Sequence, residues 1–398
     1  MSEHSAQLNA ALRLSAHLRR CCVALADGET ETALWSPTHW RGRFDADARW
    51  WVHRVLTAEA REDCAALRVD LPAGLEDGKN TGQLANLLQA AAPRLRELLE
   101  TALASAMERT VDGTFEPARY TGRFAGLPGV FEPLANDSLP GVSLFLHGSL
   151  ADYTPTAFSD VDDFVILRAE AWRDAETLRR VGTGLARVAR GYQNIDPFQH
   201  HGHWLVTEFD LLHYDESIMP LNVLEGARRV TGEARIAVRR NEDTSGFRQN
   251  ITATIRALRR RLLLIEREAG INAFRLKALV GEIALLPAYV FQSRGEMPSK
   301  SEAIRRAGEL FSPAALEALE WATRVRAEFA PFVECARVDR LRRLATRFCA
   351  RRGQAQAIFK CWAPWVSSRH PLGPKAREVD AVRQLANQAE SLANSSAR

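Results

Sequence analysis

The stretch FLHGSLADYTPTAFSDVDDFVIL, Phe145 to Leu167, sets the architecture around which the chain is read. The apolar run Val142 to Leu146 reads as a buried strand, and Gly148-Ser149 turns the chain. After a polar connection, Asp160 and Asp162 open a second apolar run, Phe164 to Leu167. On a strand, residues two apart point to the same side, so both carboxylates would address one small hard cation. That arrangement suits phosphoryl chemistry, in which a cation bridges phosphate oxygens and the protein positions the reactants. A glycine lets backbone approach a polyphosphate, and Ser149 adds a hydroxyl and an amide at an expected helix start.

An apolar strand, Gly148-Ser149, a spacer and Asp160-x-Asp162 together resemble the nucleotidyltransferase superfamily of DNA polymerase beta. The flavour is that of the bacterial antibiotic adenylyltransferases and minimal nucleotidyltransferases. Direct resemblance covers about 25 residues and extends loosely to about Gly232. One departure is Asp163, at a position that is usually apolar in that family. The resemblance implies Mg²⁺ or Mn²⁺ on Asp160 and Asp162, Gly148 and Ser149 on the β and γ phosphates, and transfer of a nucleoside monophosphate, AMP from ATP, to a hydroxyl acceptor.

Working outward, Glu170 to Arg190 reads as a helix, and strand, helix, strand order makes a mixed α/β sheet the natural architecture. The resemblance implies a third carboxylate from the strand after this helix. Asp196 is preferred, although Pro197 counts against a regular central strand. Asp210 competes, but Thr207 with Asp210 three residues on reads as a helix cap. His200, His201 and His203 lie too close together for all three to reach one ion, and read as a turn beside the site.

From about Ser245 the pattern is helical: Phe247 to Glu268 is arginine-rich, and Asn272 to Ser293 is apolar enough to require burial. Gly295, a short loop and Lys300 at a new helix start resemble the helical domain of the bacterial adenylyltransferases, which implies that Lys300 faces nucleotide phosphates. Arg337 to Gly353 is a basic amphipathic helix, Lys360 to Pro374 a turn, and Lys375 to Ala393 a last helix.

Toward the N-terminus, residues 5 to 26 have helical spacing, and a tryptophan-rich segment from Trp35 to Trp51 reads as the core of a small helical domain. Asp70 to Gly82 is turn-rich and Gln83 to Arg109 a helix. The expected organisation is an N-terminal helical region (1–110), an α/β nucleotidyltransferase core with a short mixed sheet (111–240) and an all-α C-terminal domain (241–398). A net charge of +4 permits an anionic ligand without demanding nucleic acid. Six cysteines without zinc or disulfide spacing read as reduced packing residues. No apolar run long enough for a membrane span and no signal-peptide core lead to the expectation of a cytoplasmic protein. The acceptor stays open among a small molecule, a protein and an RNA end. The competing class is a non-catalytic regulator or antitoxin-like binding protein on the same fold.

Overall fold

A computed structural model gives a mixed α/β body followed by packed helices. The structure describes most of residues 106–329, residues 370–395, short pieces before residue 106 and position 340. The tryptophan-rich segment beyond Leu34–Trp35, the 70–82 linker, the basic 337–353 helix apart from position 340, His200, His201 and every cysteine except Cys64 lie outside the described residues.

The strands are β1 (Leu34–Trp35), β2 (Met107–Thr110), β3 (Val142–His147), β4 (Asp162–Leu167), β5 (His203–Thr207), β6 (Arg228–Thr231) and β7 (Arg235–Val238). Five of them form one mixed sheet in the order β1-β5-β4-β3-β6, while β2 and β7 pair separately. β3 and β4 are antiparallel with Phe145 opposite Phe164 and His147 opposite Asp162; β4 and β5 are parallel. Every residue of β3, and every residue of β4 after Asp162, is buried, which is why both read as unbroken apolar runs.

One face of this sheet carries Leu144, Leu146, Val165 and Leu167, packed with Phe131 of α1 (Leu127–Asn136) and Val181, Leu185 and Val188 of α2 (Ala175–Ile195). Leu14, Leu67 and Leu95, from the N-terminal pieces, join the same cluster, as does Cys64, whose thiol burial pushes up to about 12. The other face carries Phe145, Phe164 and Ile166 against Trp204, Val206 and Leu224. Gly184 of α2 has a steric purpose, because a β-carbon there would stand 2.6 Å from Leu139 Cδ1.

Two expected boundaries change. Residues 107–110 are strand, not the end of a helix, because Met107 to Thr110 pairs along Arg235–Val238; tertiary pairing overrides the helical pattern. Helix α2 starts at Ala175, later than Glu170, because Asp174 accepts the Thr177 N–H at 2.6 Å as its cap, and Ala169–Trp172 forms a separate 3₁₀ turn.

After the four-residue α3 (Glu208–Leu211), the C-terminal helices are α4 (Ser245–Glu268), α5 (Ala273–Gln292), α6 (Lys300–Arg305), α7 (Pro313–Glu328) and α8 (Ala376–Ser395). Ile255, Leu276, Ile283, Trp321 and Leu385 belong to their shared core. Asn272 and Ser299 cap α5 and α6 by accepting the N–H groups of Arg275 and Glu302. Asn222 donates to the Met297 carbonyl at 2.7 Å, and Asn250 to that of Ser217, tying the helices to the α/β body. Among the described residues no helix is long and apolar enough to cross a membrane.

Candidate functional site

The turn after β3 fixes the geometry. Gly148 has φ +70°, and a β-carbon there would stand 3.3 Å from Asp162 Oδ2, so glycine answers both the backbone conformation and the approach of the carboxylate. Gly148–Leu150 is a single 3₁₀ turn and not the start of a long helix. The Ser149 hydroxyl donates to Ser159 Oγ at 2.8 Å, so in this conformation it closes the connection on itself. Four other side chains hold that connection. Tyr120 donates to the Leu150 carbonyl at 3.1 Å, Arg228 to that of Ala151 at 3.1 Å and Arg123 to that of Ser159 at 2.5 Å. The Gln199 amide pairs with the Val161 backbone in both directions, at 3.0 and 2.9 Å.

Asp162 opens β4 and Asp160 precedes it in the loop; both keep solvent access. The ammonium of Lys277, on α5, is ion-paired to Asp160 and also donates to Asp196 Oδ2 at 2.5 Å. Asp196 is fully buried, with Arg123 3.9 Å away. It is not on a strand: it ends α2 in extended conformation, as the residue before Pro197 must. Asp210 makes a capping box with Thr207, accepting its N–H at 2.6 Å, and its role is local.

Burial disfavours the Lys277 ammonium, but Asp160 and Asp196 together outweigh it, and the lysine is held above its usual range. Burial pushes the Asp196 carboxyl up, Lys277 pulls it back, and Asp160 adds to the rise. Asp163, the odd residue of the motif, points to the opposite face of the sheet and is fully paired. It accepts from the Tyr192 hydroxyl at 2.5 Å, from the Trp204 N–H at 3.3 Å, and bonds His203 Nδ1. His203 Nε2 sits 2.7 Å from the Leu185 carbonyl, so this histidine is a core residue of β5.

Two cations from the helices face the acidic pair. Lys300 opens α6 as an exposed residue. Desolvation lowers its pKa, Arg326 lowers it further, and Asp162 and Asp160 pull it back up. Arg326, on α7, is likewise lowered by burial and raised by Asp160 and Asp162. No carboxylate among the described residues lies within ion-pair range of either. The Phe158 ring lies 5.7 Å from both Lys277 Nζ and Arg326 Cζ.

Among the described residues no group of three or more His, Cys, Asp or Glu gathers as a metal cluster. Mg²⁺ commonly takes one or two carboxylates and fills its octahedron with substrate oxygens and water. Asp160 and Asp162 match that donor set for one ion, and Asp196 stands outside it behind Lys277. Of the residues singled out in the sequence, Gly148 lies against Asp162, Ser149 bonds Ser159 in the same connection, Asp160 and Asp196 share Lys277, and Lys300 is close enough to Asp160 and Asp162 to feel their charge. The sequence reading missed Lys277 and Arg326. A lone lysine between Leu276, Leu279 and Val280 on a buried helix was the available signal for the first; one arginine among many on the helices gave none for the second. No protein-family model matches this chain, and neither a curated protein nor a solved structure matches it at a significant level.

Proposed function

We propose that the chain is a metal-dependent nucleotidyltransferase that moves a nucleoside monophosphate, AMP from ATP, to a hydroxyl acceptor. The observation that carries this reading is the Gly148 turn held against Asp162, with Asp160 two residues before it, and both acids pulling electrostatically on Lys300 and Arg326. Two like charges on different helices, with no carboxylate of the described residues in pairing range, call for an anion. A triphosphate supplies one whose charge the acidic pair alone would repel.

Asp160 and Asp162 would hold a Mg²⁺ that neutralises the α-phosphate and acidifies the acceptor hydroxyl. Lys300 and Arg326 bind the β and γ phosphates and stabilise the charge that develops on departing pyrophosphate. Gly148 presents backbone without a side chain beside Asp162. The hydrogen-bonded Leu150–Val161 connection holds the two acids in place before substrate arrives, which lowers the cost of ordering them. Asp196 positions Lys277 and does not reach the acceptor, because it is sealed from solvent.

The test is incubation with each α-labelled NTP and Mg²⁺ or Mn²⁺, alone and in cell extract, comparing wild type with Asp162→Asn. Label transferred by wild type alone supports the reading and identifies the acceptor class as small molecule, protein or RNA. Metal-dependent nucleotide binding with no transfer in extract moves the reading to the non-catalytic class.

A further inference from the structure

The arrangement of Asp196 disagrees with a site in which three carboxylates share two divalent ions. Its carboxylate is fully buried, and the ammonium of Lys277 bridges it to Asp160. That lysine is itself buried, on a helix whose neighbouring Leu276, Leu279 and Val280 have no exposure at all. An ammonium is buried at heavy desolvation cost and is retained only where carboxylates surround it. Here two do, one from the loop before β4 and one from the end of α2.

We propose that Lys277 is the resident second cation of the site. Positioned by Asp196, its ammonium stands on Asp160 where a second divalent ion would stand, and the chain takes one divalent ion, on Asp162 and Asp160. The inference rests on the nucleotidyltransferase reading, and its test reads metal count and not turnover.

The experiment titrates Mn²⁺ into the full chain in the presence of one equivalent of a non-hydrolysable ATP analogue, with free Mn²⁺ followed by electron paramagnetic resonance. The expected count is one Mn²⁺ per complex for wild type and two for Lys277→Met, in which the third carboxylate becomes available. Two ions on wild type overturn the inference and leave the nucleotidyltransferase reading standing. One ion on both proteins also overturns it, because the lysine then holds no ion's place. No Mn²⁺ and no analogue on wild type overturn the reading and the inference together. Should Lys277→Met not fold, Asp196→Asn decides. The inference expects one ion, bound about tenfold more weakly because the positioning partner is lost. One ion bound as tightly as in wild type is the result that contradicts it.

Discussion

Phe158 and Phe329 meet edge to face, ring centroids 5.4 Å apart at an interplanar angle of 78°. Phe158 belongs to the connection that leads into Asp160, yet it is buried in the core of the C-terminal helices. Phe329 follows α7 directly and stacks on His370 at 5.1 Å, so three distant segments meet at one point. Phe158→Ala should lower stability by about 3 kcal/mol, the cost of emptying a buried aromatic site. Urea unfolding measures it; a loss below about 1 kcal/mol would mean the pin is not needed.

Asp162 and Asp163 are neighbours with opposite fates. Asp163→Ala removes the acceptor shared by Tyr192, His203 and the Trp204 N–H, and should destabilise by roughly 3 kcal/mol. Asp162→Ala should leave the unfolding midpoint within about 1 kcal/mol of wild type and abolish transfer. Equal stability losses in the two variants would contradict this division.

Glu208 gives a pH signature. Burial pushes its carboxyl from 4.5 to about 7, with Arg168 opposing and Glu170 adding to the rise. The folded protein therefore holds a proton that the unfolded chain gives up above about 4.5, and stability falls as pH rises from there through about 7. The loss attributable to this group is at most roughly 3 kcal/mol at pH 8. Denaturation midpoints at pH 5 and 8 should differ less for Glu208→Gln than for wild type; an unchanged difference would assign the slope elsewhere.

Gly148→Ala should cost roughly 1–2 kcal/mol through the left-handed backbone conformation alone. Its methyl would also press on Asp162 Oδ2, so metal-dependent nucleotide binding should weaken beyond what the stability loss explains. Calorimetry with Mn²⁺ and nucleotide, below the midpoint of unfolding, separates the two effects.

Arg326→Gln removes a cation that makes no ion pair among the described residues. Its stability should stay within about 1 kcal/mol of wild type. The KM for nucleotide should rise about tenfold, corresponding to one charge-assisted contact with phosphate. A variant with unchanged KM would place the phosphates away from α7.

Much of the site was legible because its chemistry is local. Gly148-Ser149 and Asp160-x-Asp162 flank a turn between two strands whose apolar runs are visible without the fold, and Asn272, Thr207 and Asp210 declare their caps through residue type and spacing. Asp196 was found, but its element and role were misread: the rule that a residue before proline leaves the helix places it at the end of α2, facing a lysine 81 residues away. Contacts over that distance have no periodicity to betray them. The same holds for β2, whose four residues become a strand only because β7 lies alongside, and for Arg326, which differs from its arginine neighbours only in what it faces.

The reach of Lys277 across 81 residues to Asp196 has a consequence for how the chain is made. The ribosome delivers all three acids well before the lysine that neutralises two of them. Until residue 277 is made, the chain contains the complete Gly-Ser to Asp-x-Asp motif but leaves Asp196 without the Lys277 ammonium. The ion pair that joins the end of α2 to α5 is therefore completed only after synthesis has run past residue 277.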